Sequence, residues 1–89
     1  MVKKPYKEEK ISNNTYIRTF DNNINSYELK WHIDFEDRII EVIKNNDWKF
    51  QFDDELPFIL KENIYIKKNI WHRIIKGTDD LIVKVTKVI

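Results

Sequence analysis

The chain reads as one all-β domain, a small barrel or sandwich. Three observations predict this class. Apolar and polar residues alternate with a period of two over several short stretches, as in Tyr27 to His32 and Asp47 to Asp53. Such stretches recur roughly every ten residues, which is the rhythm of a sandwich or barrel. Clusters of Asp, Asn, Gly and Pro separate them, as turns between strands require.

The elements follow in order. Residues 1–12 mix Lys and Glu with one Pro and show no period, so an irregular start or an edge strand is expected. Thr15 to Phe20 is a short strand, closed by the turn-forming Asp21-Asn22-Asn23. Tyr27 to His32 alternates, with Tyr27, Leu29 and Trp31 on one face and Glu28, Lys30 and His32 on the other. Phe35 to Asn45 is ambiguous, because Phe35, Ile39, Ile40 and Ile43 stand at spacings close to helical. Asn45-Asn46 looks like a hairpin turn, which favours a strand over Ile39 to Lys44. Asp47 to Asp53 sets Trp48, Phe50 and Phe52 against Lys49, Gln51 and Asp53. Pro57 to Leu60, Ile64 to Ile66 and Ile70 to Ile75 are further short apolar runs. Gly77, the single glycine, sits in the tight-turn sequence Lys76-Gly77-Thr78-Asp79 and leads into the β-branched strand Leu81 to Ile89.

Size and composition narrow the classes further. With 89 residues there is room for one domain, 1–89, with a small core. The absence of cysteine excludes a disulfide framework and a thiolate metal site. Charged residues make up 35% of the chain, yet the net charge is only +1, which argues against nucleic acid or an anionic membrane as partner. No apolar run approaches the roughly 20 residues of a membrane helix. No apolar secretory core follows the N-terminal Met, so a cytoplasmic setting is expected. Abundant Ile, Asn and Lys and the lack of Ala point to an AT-rich coding bias. Under such a bias Asn replaces Gly where a left-handed backbone is needed, since Asn tolerates that conformation.

Two stretches, Trp31 to Trp48 and Leu60 to Arg73, together resemble the paired motifs of the cupin superfamily. The first motif has two His one residue apart, then a Glu and a hydrophobic strand ending in Gly. The second runs Gly-Asp, a hydrophobic stretch, Pro, a residue, Gly, two residues and His. By this match His32 falls on the first His, Asp34 on the second, Arg38 on the Glu and His72 on the last His. Glu62-Asn63 stands for Gly-Asp, Lys67 for the Pro and Asn69 for the second Gly. The chain is similar to small single-domain cupins of unassigned function, with a Trp-His start, the stretch Asp54-Glu55-Leu56-Pro57 and a His-Arg end. The resemblance covers roughly Tyr27 to Val88. It implies a jelly-roll, double-stranded β-helix barrel and a strand, not a helix, over Ile39 to Lys44.

It also implies a site. On an extended chain His32 and Asp34 point the same way, and His72 on a facing strand completes three ligands. Two His and one carboxylate suit iron(II), and also manganese or zinc, with open positions for substrate. Arg38 departs from the pattern, because a guanidinium stays protonated and cannot ligate. Three alternatives stand: the pocket is metal-free, Arg38 turns aside to pair with Glu36 or Glu41, or it anchors an anionic group of the ligand. Arg38 and Gln51 are the expected ligand contacts. Arg73 faces away from His72 by parity. The apolar stripe Tyr27, Leu29, Trp31, Ile33 and Phe35 needs a cover, and a homodimer would supply it. The sequence is therefore compatible with a metal-dependent enzyme or binder acting on a small polar molecule. It is equally compatible with a metal-free, homodimeric ligand-binding or interaction barrel whose site is vestigial. Whether the protein is an enzyme is left open, as a versatile fold does not specify chemistry.

Overall fold

Leu81, Val83 and Val85 alternate with half-buried residues along the last strand and are almost completely buried, at 1%, 4% and 1% exposure. That strand, β8 (Leu81–Val88), is the axis of the larger of two sheets. In the computed structural model, which describes residues 4–88, it pairs on one side with β2 (Thr15–Phe20) and on the other with β3 (Asp37–Lys44). The edges are β1 (Lys7–Ser12) against β2 and β6 (Ile64–Ile66) against β3, giving the order β1-β2-β8-β3-β6. The smaller sheet has the order β5-β4-β7, from β5 (Phe58–Ile59), β4 (Lys49–Phe52) and β7 (His72–Ile75). Every pairing between these strands is antiparallel.

The inner faces of the two sheets meet in one core, where Trp48 and Phe50 of the smaller sheet pack with Phe20, Ile66, Leu81, Val83 and Val85 of the larger. Trp48 has no exposed surface, and its indole Nε1 donates to the carbonyl of Asp79. Truncating a residue so enclosed costs about 3–5 kcal/mol.

The all-β expectation holds, and most strands overlap the short runs expected to form them. Residues 1–3 of the expected irregular start, and Ile89 at the end of the last strand, lie outside the described residues. Residues 7–12 form an edge strand whose six residues are all exposed. Phe35 to Asn45 resolves as a strand.

Three expectations need correction. Tyr27 to His32 is not a strand: Ser26–Glu28 is a 3-10 turn, and only His32 makes a bridge. The cause is local, since the Asn25 side chain accepts a hydrogen bond from the Tyr27 amide at 3.0 Å and caps the turn. As a result the expected stripe divides. Leu29 packs against the core, whereas Tyr27 and Phe35 stand 85% and 82% exposed.

The other two corrections concern turns. Asn45-Asn46 is not a hairpin, and the tight turn expected at Lys76-Gly77-Thr78-Asp79 is an open bend, because β3 and β4, and likewise β7 and β8, lie in different sheets. Both are corners where the chain changes layer. Asn45 holds its corner with an amide that donates to the Trp48 and Leu60 carbonyls and an oxygen that accepts from the Trp48 amide. Gly77 is required by proximity, since a Cβ there would stand 2.7 Å from the Trp48 backbone nitrogen and closer still to Asp47. No helix among the described residues is long and apolar enough to cross a membrane.

Candidate metal centre and the cavity around it

His32 and His72 face each other across the open end of the two sheets. Each donates its backbone N–H to the other's carbonyl at 3.0 Å, so a single antiparallel bridge sets both side chains on one side. Their ring centroids are 4.3 Å apart. On its other flank His72 neighbours Phe52 in register and stacks on Phe50, with ring centroids 5.5 Å apart. Two residues beyond His32 the chain carries Asp34, whose carbonyl accepts the Asn69 amide at 2.8 Å. Asn69 has a left-handed backbone, φ 63°, and so fills the role of glycine expected of it.

His32, Asp34 and His72 thereby converge, with one ligand atom from each lying within 4.8 Å of the others. Asp34 and His72 are buried and His32 is half-exposed. The Nδ1 of His32 lies 3.0 Å from the Lys30 carbonyl and that of His72 lies 2.8 Å from the Ile70 carbonyl. These contacts assign the imidazole proton to Nδ1 and turn Nε2 into the site, the arrangement that orients metal-ligating histidines. His72 Nε2 is 3.2 Å from Asp34 Oδ2, and His32 Nε2 is 3.9 Å from Asp34 Oδ1. Asp34 Oδ2 is buried and accepts no well-formed hydrogen bond. Two acceptors therefore face each other at the site's centre, and only a cation or a proton between them relieves the contact.

The electrostatics agree. Burial pushes the His32 imidazole below its ordinary value, which favours the neutral, ligating form. For Asp34, burial alone would raise the carboxyl, but His72, Arg38 and His32 outweigh it and keep the group below the usual carboxylate range.

Arg38 does turn aside. Its Nε and Nη2 donate to Glu36 Oε1 at 3.1 and 2.8 Å, while Nη1 stands 3.3 Å from Asp34 Oδ1. It shares Asp34 Oδ1 with His32 and leaves Oδ2 to His72. Gln51 does not join the site. Its strand turns Phe50 and Phe52 inward, so Gln51 projects outward, accepting from Arg73 Nε at 2.9 Å and donating to the Glu55 carbonyl at 3.0 Å. Arg73 lies on that outer face as parity predicts, 4.6 Å above the Trp31 ring.

The triad opens into a cavity of about 510 Å³ between the sheets, floored by apolar residues including Leu60, Ile66 and Val85. Its lining also includes Glu8, Arg18 and Lys87. The sequence reading missed these residues. The parity of Arg18 with Phe20 on one strand was the available signal, since it puts a cation on the buried face.

No known protein-family profile matches the chain, and no curated protein is detectably similar to it in sequence. Solved structures are similar in shape. An RmlC-like cupin family protein with a double-stranded β-helix fold, from Methanocaldococcus jannaschii, superposes with a TM-score of 0.73 at 19% identity, covering 97% of this chain and 82% of that one. A protein from Neisseria meningitidis gives 0.62 at 14% identity, covering 99% and 89%. The two sheets, their antiparallel order and these superpositions define the protein by fold as a cupin-type double-stranded β-helix.

Proposed function

We propose that the protein holds one divalent metal ion with His32, Asp34 and His72 and uses the adjoining cavity to bind a small polar molecule. The observation that carries this reading is the orphaned Asp34 Oδ2 facing a histidine Nε2 whose partner nitrogen already donates to a carbonyl. Ligands about 2.1 Å from a common ion stand roughly 3–4 Å apart, and the spacings of 3.2 and 3.9 Å fall in that range. The donor set suits iron(II), manganese or zinc. A bound ion of this kind supplies Lewis acidity and open coordination positions. The protein's own residues do the rest: Arg38 fixes the Asp34 carboxylate, Phe50 fixes the His72 ring, and the apolar floor excludes water from one side of the ligand.

One observation favours a second reading, in which the cavity works without metal. The Arg38 guanidinium already partly neutralises Asp34, and a protonated His72 would complete that neutralisation. Metal analysis separates the two. Protein purified without chelator is expected to carry a stoichiometric ion, lost in His32→Ala and His72→Ala. Failure to retain iron, manganese or zinc after reconstitution would overturn the metal reading.

The chain is further proposed to act as a homodimer. The support is the set of large apolar side chains left in solvent, among them Phe35 at 82% and Trp71 at 49% exposure. Light scattering on the eluted protein tests this, and a monomer at micromolar concentration would reject it.

A further inference from the structure

The part of the cavity lining formed by Lys4, Glu8, Arg18 and Lys87 carries more positive charge than its one carboxylate offsets. Arg18 Nε binds Glu8 Oε2 at 2.7 Å, and Lys4 Nζ lies 3.7 Å from Glu8 Oε1. Partial burial would raise the Glu8 carboxyl, but Arg18, Lys4 and Lys87 outweigh it and hold it below the usual range. Arg18 and Lys4 thus share one carboxylate, and Lys87 adds a third positive charge to the lining. Lys87 is also the direct cross-strand neighbour of Arg38, and like charges in that position repel. Glu36 and Asp34 compensate Arg38, whereas Lys87 has no carboxylate at ion-pair distance among the described residues. Its ammonium is held 4.9 Å over the Tyr16 ring, and the Arg18 guanidinium 4.4 Å over Tyr6, so aromatic faces limit where both cations can move. Both line the same cavity as Leu60, Ile66 and Val85.

We propose that the molecule taken by this cavity is a small organic acid, its apolar body on Leu60, Ile66 and Val85 and its oxyanion held by Lys87 with Arg18. The inference rests on the cavity being a ligand chamber, as proposed above, but it does not require the ion. The acid group offsets the charge excess of the wall, and the half-buried setting of Lys87 screens that attraction less than open solvent would.

Benzoate and its neutral isostere benzamide are suitable probes, titrated calorimetrically into chelator-treated and into zinc-reconstituted protein. Benzoate is expected to bind roughly tenfold more tightly than benzamide, as befits one charge-assisted contact. Lys87→Met should bring benzoate down to the level of benzamide, Lys87→Arg should retain the preference, and Glu8→Gln should strengthen it. Equal affinity for the two probes overturns the inference. So does an unchanged preference in Lys87→Met that keeps the parental melting curve, or no benzoate binding up to about 10 mM. A preference seen in the chelator-treated protein upholds the inference even where no ion binds. Zinc uptake without any preference overturns it and leaves the metal reading standing.

Discussion

His32 and His72 are 40 positions apart in the sequence, yet a two-hydrogen-bond bridge joins their backbones, with both N–H···O distances 3.0 Å. The bridge makes the site a property of the backbone. It also makes the two histidines unequal, because His72 is buried against Phe50 while the His32 side chain is 52% exposed.

Truncation should expose that inequality. His72→Ala removes a buried ring stacked on Phe50, which is expected to cost about 2–4 kcal/mol of stability. His32→Ala should cost less than about 1 kcal/mol. Both should weaken metal binding by at least roughly 100-fold, since each removes one of three ligands. Urea denaturation beside metal titration checks the pair. Equal stability losses would contradict the burial argument, and unchanged metal affinity would contradict the ligand assignment.

By the motif resemblance Arg38 stands where a Glu is expected, and a carboxylate there would be placed to add a fourth ligand. Arg38→Glu is expected to raise affinity for manganese or zinc by roughly tenfold or more. The same change should destabilise the metal-free protein by about 1–3 kcal/mol, because Glu36, Asp34 and the new carboxylate would crowd without a cation. Added metal should restore the melting temperature. A variant no tighter for metal than the parent would mean that Arg38 does not compete for the site.

Asp47 supplies a pH test away from the site. The Thr78 amide donates to Asp47 Oδ1 at 2.7 Å and the Thr78 hydroxyl to Oδ2 at 2.9 Å, and these bonds hold the carboxyl below its ordinary 3.8. A depressed carboxylate contributes stability that is present above its unfolded value and is lost as pH falls through the folded one. Stability should therefore decline below about pH 4. Asp47→Asn should make that decline shallower while lowering stability at neutral pH. Parallel acid profiles for parent and variant would rule the corner out as a contributor.

Asn69 tests the reading of the coding bias. At φ 63° glycine carries no Cβ penalty, so Asn69→Gly should gain a few tenths of a kcal/mol, while Asn69→Ala should lose about 1 kcal/mol. Since the Asn69 amide supports the Asp34 carbonyl, the alanine variant should also bind metal more weakly. Thermal melts with and without zinc read both effects.

The strands that were legible in the sequence are those whose inner face is set by burial. Thr15–Phe20 and Ile64–Ile66 have the bounds expected from their short apolar runs and flanking turns, and Trp48, Phe50 and Phe52 keep their expected parity at and within β4. The site triad was legible because parity puts His32 and Asp34 on one side, and the motif resemblance supplied His72. What escaped was set by other forces. The 3-10 turn at Ser26–Glu28 arises from one Asn side chain capping an amide, which a period-two pattern does not encode. Hairpins and sheet-changing corners use the same turn residues, so Asn45-Asn46 and Gly77 did not reveal which they were. Gln51 was misplaced because the aromatic face of its strand, not the polar one, is turned toward the cavity. The Glu8, Arg18 and Lys87 wall escaped because it is assembled from both ends of the chain.

His72 belongs to the smaller sheet, whereas Asp34 lies three residues before a strand of the larger one. An ion gripped by both would act as a clasp across the open end of the sandwich. For a chain this short, with no disulfide to fasten it, occupancy would then report on mechanical closure as well as chemistry. Emptying the site should loosen the mouth of the barrel before it disturbs the Trp48 end, so the protein would breathe from one side.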